Sequence, residues 1–134
     1  MADVAEDCGF IFSDGFDRLF LEELYGGDML TAEEIFRSSI PHIEEFLQLA
    51  EHHVDTGASD DLRKLLHKIK PLFGYMGMIQ VQDAAQNFED FCAFKDKTGN
   101  LDSAHESFRT IVHQALLLMR TEQQRLNEHN NRRV

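Results

Sequence analysis

Apolar residues recur along this chain at spacings of three and four, the mark of amphipathic helices. The most regular set is Leu62, Leu65, Leu66, Ile69, Leu72, Phe73 and Met76. It predicts a helix capped at Ser59 or Asp60 and stopping near Gly77. A longer stripe precedes it: Phe36, Ile40, Ile43, Leu47, Ala50 and Val54. That helix opens at Asp28 or Thr31, with Thr31 and Glu34 at capping-box spacing, and closes at Asp55-Thr56-Gly57. Pro41 lies inside it and predicts a bend rather than a break. Glu33, Glu34, Glu44, Glu45 and Glu51 are assigned to its outer side.

Beyond Gly77, the residues Val81, Ala84, Ala85, Phe88, Phe91 and Cys92 mark a helix from about Ile79 to Lys95, followed by a Thr98-Gly99-Asn100 turn. Ser103 with Glu106 forms a second capping box. It leads into a stripe of Ala104, Phe108, Ile111, Val112, Ala115, Leu118 and Met119 that ends near Arg125. At the front, Asp14 is predicted to cap a short helix through Leu24, with Phe16, Leu19 and Phe20 facing inward. Tyr25-Gly26-Gly27 ends it.

Four long amphipathic helices with short connections predict an all-α protein, an antiparallel up-down-up-down four-helix bundle with a short extra N-terminal helix. Residues 1–13 form a loose acidic segment, whose Phe10, Ile11 and Phe12 can tuck against the bundle. Residues 14–126 form the bundle, and 127–134 a polar, fraying tail. The 134 residues are 43% hydrophobic, enough for one core.

The net charge of −11 is unevenly spread. Residues 1–61 hold 16 acidic and 2 basic side chains, and residues 62–134 hold 8 and 11. An acidic body disfavours nucleic acid and anionic membranes as partners. No apolar run approaches the ~18 residues that span a bilayer, and no basic-then-apolar leader opens the sequence. Cys8 and Cys92 fit reduced thiols of a cytoplasmic protein. Against this background residues 63–70 contain no acid at all, making a local anion site.

His67 sits inside that basic run. At about 100° per residue it points roughly 150° from the centre of the apolar stripe, on the same side as Arg63, Lys64 and Lys70. A lone helical histidine among lysines is most often a solvated face. The spacing adds more: Lys70 follows at +3 and Gly77 at +10. Together with the Gly26-Gly27-Asp28 turn and a Phe-Glu pair late in the fourth helix, the span from about Phe16 to Met119 resembles the histidine phosphotransfer (HPt) family. The pattern of that family reads roughly His-x-x-Lys-Gly-x-x-x-x-x-Gly. Pro71 departs from it, standing where the family usually has Gly. It removes the N–H that would bond the His67 carbonyl, so a kink is predicted beside the histidine.

The resemblance implies the same bundle and a phosphocarrier rather than an enzyme. His67 would accept a phosphoryl group from a receiver-domain aspartyl phosphate and pass one on. Lys70, one turn along and solvent-facing, would offset charge on the transferring oxygens. Arg63 and Lys64 would assist from the preceding turns, Lys68 would steer partners, and Pro71, Gly74 and Gly77 would shape docking. The implied partners are response-regulator receiver domains and a hybrid histidine kinase of a bacterial-type multistep phosphorelay, met by a cytoplasmic monomer. It would need no cofactor or metal of its own, magnesium being held by the receiver. The neutral imidazole required for attack predominates for an ordinary histidine at pH 7.

Two other classes compete. One is a helical adaptor of the same fold that binds receivers without carrying phosphate, its site spoiled by Pro71. The other is a metal- or oxygen-binding bundle, which His42, His52, His53, His105, His113 and His129 support poorly because they form no His-x-x-x-His or Glu-x-x-His pair. No Gly-rich phosphate loop or ATP-binding motif is present. The adjacent acids Glu22-Glu23, Glu33-Glu34 and Glu44-Glu45 splay about 100° apart, which disfavours a carboxylate dyad.

Overall fold

The structure, a computed structural model, describes residues 9–94 and 100–132. It consists of α1 (Arg18–Tyr25), α2 (Met29–Asp55), α3 (Ser59–Tyr75), α4 (Ile79–Ala93) and α5 (Leu101–Arg132), with no strand among the described residues. Packing joins α2 to α3, α3 to α4, α4 to α5 and α5 back to α2. The core fills the space between them, with Phe36, Ile43, Phe46, Leu62, Leu66, Phe73, Val112 and Met119 almost wholly enclosed. No helix among the described residues is long and apolar enough to cross a membrane.

Helical periodicity accounts for most of this. In α3, Leu62, Leu66, Ile69 and Phe73 are buried, with Leu65 and Leu72 flanking them and Met76 buried just past the helix end. Both prolines are taken up without a break, α2 running through Pro41 and α3 through Pro71. The predicted end of the fourth helix at Lys95 and most of the Thr98–Asn100 turn lie outside the described residues.

Caps and inward faces depart from expectation at several points. Asp17, not Asp14, caps α1, its carboxylate accepting from the Phe20 N–H. Asp14 instead pairs with Arg18 at 3.0 Å. The start therefore slips by three residues, and Leu21 is buried while Leu19, 78% exposed, Phe20 and Leu24 face outward. Asp28 caps α2 through the Thr31 N–H and hydroxyl. Ala58, with no capping side chain, precedes α3. Asn100 replaces Ser103 at the start of α5, its side chain accepting from the N–H groups of Asp102 and Ser103. In α5, Leu116 is buried, whereas Ile111 and Leu118 stand at the rim.

The short helix α1 is fastened to the turn that follows α3. The Asp17 N–H donates to the Gly77 carbonyl at 2.8 Å. The Tyr25 hydroxyl donates to the Tyr75 carbonyl at 2.6 Å. Burial, with the neighbouring Tyr75 phenol, pushes the Tyr25 hydroxyl up to about 12. Gly77 has φ +70°, and a Cβ there would come within 2.7 Å of Leu21. Only glycine meets both demands.

Two buried carboxylates extend the ordered chain at both ends. Glu33, expected on the outer side of α2, is 4% exposed. It accepts from Asn127 at 2.9 Å, Asn130 at 3.0 Å and Gln123 at 3.3 Å, and pairs with Arg37. Asn130 also donates to the Met29 carbonyl. The predicted fraying from Asn127 is therefore replaced by helix to Arg132, because α2 supplies acceptors that a free tail would lack. Glu122, 1% exposed, accepts from the Ser13 N–H at 2.8 Å, the Ser13 hydroxyl at 2.7 Å and Arg125 at 2.8 Å. Arg125 also donates to the Ile11 carbonyl and stands over the Phe10 ring. Residues 10–13 are thus strapped to α5 rather than loose. Phe12 is buried against Phe36, while Ile11 points outward.

Candidate functional site

The stripe that buries one side of α3 leaves His67 on the other, its side chain 72% exposed. It is not isolated there. α4 packs alongside, and its residues Gln86, Glu89 and Asp90, spaced three and four apart, share one face toward the histidine. Glu89 Oε2 lies 3.1 Å from His67 Nδ1. A carboxylate only accepts, so in this contact the Nδ1–H donates, and in a neutral ring the lone pair then falls to Nε2.

The second oxygen of Glu89 accepts from Lys70 Nζ at 3.0 Å. Lys70 also donates to Gln86 Oε1. Gln86 Nε2 in turn donates to Asp90 Oδ1 at 2.8 Å. Burial pushes the Glu89 carboxyl upward, but the hydrogen bonds and charges of Lys70 and His67 outweigh it and hold the group below its usual range. Glu89 is therefore ionised near neutrality and able to accept from both α3 side chains.

The predicted residues fall into three groups. His67 and Lys70 are brought together, with Glu89 between them. Lys70 is not solvent-facing as its helical angle suggested; it is 17% exposed, laid across α4 by its two acceptors. Lys64 and Lys68 are exposed and make no ion pair among the described residues, while Arg63 lies 3.6 Å from Asp60. Pro71 is half-buried, one residue past Lys70. Gly74 and Gly77 are buried in packing positions: a Cβ on Gly74 would lie 2.9 Å from Gln82 of α4, and Gly77 carries α1.

Glu89, Gln86 and Asp90 were missed as members of the site. A signal existed for the first, since the Phe-Glu pair of the fourth helix, Phe88-Glu89, places Phe88 in the core and Glu89 one position round. A cleft of about 650 Å³ lies between Gly15, Phe16, Gly77, Met78, Ile111 and Leu118. None of the histidine network lines it, and the His67 side chain is largely exposed.

The constellation suits nucleophilic transfer by a partner-accessible nitrogen. The imidazole is held by a carboxylate, with an ammonium one turn away. No curated protein and no solved structure shows a significant match to the chain. The profile of the Hpt domain, by contrast, matches residues 34–128. That span is most of the chain and contains His67, Lys70 and Glu89, and the chain belongs to the Hpt domain family.

Proposed function

We propose that, within the histidine phosphotransfer of phosphorelays that Hpt domains serve as phosphocarriers, His67 Nε2 is the atom that takes and gives the phosphoryl group. The observation that supports this is the Glu89 contact at Nδ1 of a side chain that is 72% exposed, since a neutral ring donating from Nδ1 carries its lone pair on Nε2. Nε2 attacks the phosphorus of a receiver-domain aspartyl phosphate. The N–P bond forms as the P–O bond to the aspartate breaks, and the aspartate leaves as a carboxylate. The positive charge that develops on the ring is offset by Glu89 through the Nδ1–H. Lys70, which shares Glu89 with the imidazole, balances charge on the transferring oxygens. A second receiver takes the group by the reverse step, and magnesium and the remaining machinery belong to the receivers.

Support for receiver docking comes from exposed side chains on α3 and α1. Exposed Lys64 and Lys68 offer positive charge to an acidic receiver surface. Leu19, Phe20 and Leu24 on α1 and Tyr75 at the end of α3 add exposed apolar area, joined by the Tyr25–Tyr75 hydrogen bond. We read the four long helices as an antiparallel up-down-up-down bundle, since three residues separate α2 from α3 and three separate α3 from α4. The protein acts in the cytoplasm as a monomer, alone or as part of a hybrid kinase.

The test is uptake of acid-labile, base-stable label from a phosphorylated receiver. Wild type takes up label, and His67→Gln takes up none while keeping its helical circular dichroism. Absence of label on wild type with every receiver tried would replace the carrier by a receiver-binding adaptor of the same fold.

A further inference from the structure

We infer that Gln86 and Asp90 are positioning residues for the histidine. Asp90 fixes the Gln86 amide, Gln86 holds the Lys70 ammonium on α4, and Glu89 thereby keeps one oxygen for His67 Nδ1. This rests on the phosphocarrier role of His67 for its consequence in transfer, but not for its geometry.

A glutamine amide has a donor end and an acceptor end of nearly equal size, so an isolated one presents either. Here its neighbours differ in sign. Asp90 Oδ1 accepts only and takes Nε2 at 2.8 Å. Lys70 Nζ donates only and takes Oε1. Turning the amide over would set NH₂ against an ammonium and oxygen against a carboxylate. An acceptor on one side and a donor on the other therefore lock it in one orientation.

Lys70 is the link to the histidine. Its four-carbon stem has many rotamers, and two acceptors on α4, Gln86 and Glu89, reduce them to one. With Gln86 in place, the ammonium contacts Glu89 Oε1 and leaves Oε2 to the imidazole. Without it, Nζ is free to swing across the carboxylate and compete with the Nδ1–H for Oε2. The tautomer that exposes the Nε2 lone pair would then be less strictly kept. Asp90 is exposed and contributes nothing to the core, so its replacement tests positioning without threatening the fold.

The experiment compares Asp90→Asn, Asp90→Leu, Gln86→Leu and the double leucine variant in the full chain. Nitrogen-15 NMR of the His67 ring reads the tautomer without any receiver, and single-turnover transfer from a phosphorylated receiver reads the rate. Wild type and Asp90→Asn, which keeps an acceptor oxygen, should show the Nδ1–H tautomer and the same rate. Asp90→Leu and Gln86→Leu should each show a raised share of Nε2–H and transfer slowed roughly threefold to tenfold. The double variant should be no worse than either single change, because the two act in series. Ring shifts unchanged in both leucine variants would overturn the inference. So would an Asp90→Asn variant as impaired as Asp90→Leu, since charge rather than orientation would then be at work. If wild type takes up no phosphoryl group at all, the ring shifts still decide the inference while the carrier role falls alone.

Discussion

Glu122 and Glu89 are both largely withdrawn from water, yet they do opposite things. Every partner of Glu122 is itself tied down: Ser13 by its backbone and hydroxyl, and Arg125 by Glu122, Ser13 and the Ile11 carbonyl. That network closes on itself and straps the N-terminal segment to α5. Glu89 has one tied partner, Lys70, and one open partner, the His67 ring, which stays 72% exposed. A carboxylate surrounded by closed partners holds structure. One whose partner keeps an exposed end suits the transfer proposed for that partner.

The contrast makes a double prediction, and its structural half is the larger. Glu122→Ala empties a carboxylate site that is 1% exposed and leaves the half-buried Ser13 N–H and part of the Arg125 guanidinium without that acceptor. It should cost about 2–3 kcal/mol in urea unfolding, with transfer by the folded fraction within about twofold of wild type. Glu89→Gln should do the reverse. Its stability loss should stay under about 1 kcal/mol, while single-turnover transfer slows roughly tenfold, about 1.4 kcal/mol. Lys70→Ala should slow transfer by a similar factor. If Glu89→Gln unfolds the chain as readily as Glu122→Ala, the distinction between the two regions collapses.

A pH scan sharpens the same comparison. His105 is buried beside Phe88, and burial, aided by the Arg109 charge, holds its imidazole below the ordinary histidine value; Glu51, Glu106 and Asp102 oppose this only in part. The unfolded chain therefore binds that proton first as pH falls. The stability tied to neutral His105 is full above about 6.5 and drains away as pH drops from there toward the lower folded value. Glu33 works in a lower window. Burial pushes it up, but Asn130, Asn127, Arg37 and Gln123 hold it below 4.5, so its contribution persists above that value and is lost as pH falls through the folded one. Urea midpoints at pH 7 and 5.5 should differ in wild type and converge in His105→Phe.

The smallest effect is expected at Pro71. Glycine restores a backbone donor beneath the His67 carbonyl but is itself a poor helix former. Pro71→Gly should shift the unfolding free energy by no more than about 0.5 kcal/mol. Its signature should be a changed rate or order of preference among receivers.

How far the sequence was legible depended on what each residue answers to. The stripes of α2, α3 and α4 were readable because apolar burial follows from periodicity alone. His67 was readable because the same periodicity points it away from the stripe. The inward face of α1 was not, since one slipped cap, Asp17 for Asp14, turns an eight-residue helix and exchanges Leu19 and Phe20 for Leu21. Glu33 and Asn130 read as polar surface and tail and are buried, because they are each other's partners across about a hundred residues. Lys70 and Glu89 show the limit within the site. Angle on one helix could not reveal that a neighbouring helix supplies acceptors at matching height.

The bond from Asp17 to the Gly77 carbonyl gives the interval between His67 and Gly77 a meaning as a ruler. The eight helical steps from His67 to Tyr75, at 1.5 Å each, span roughly 12 Å, and the turn through Met76 carries the chain on to Gly77. One end of that interval is pinned by α1 at a glycine that admits no side chain. The other end carries the imidazole, which must stand level with Glu89 on α4. One residue more or fewer between them would turn the ring by about 100° and carry it off the row formed by Gln86, Glu89 and Asp90. The distance from histidine to glycine is thus a gauge length, cut so that a fastening at the end of the helix sets the azimuth of a nitrogen in its middle.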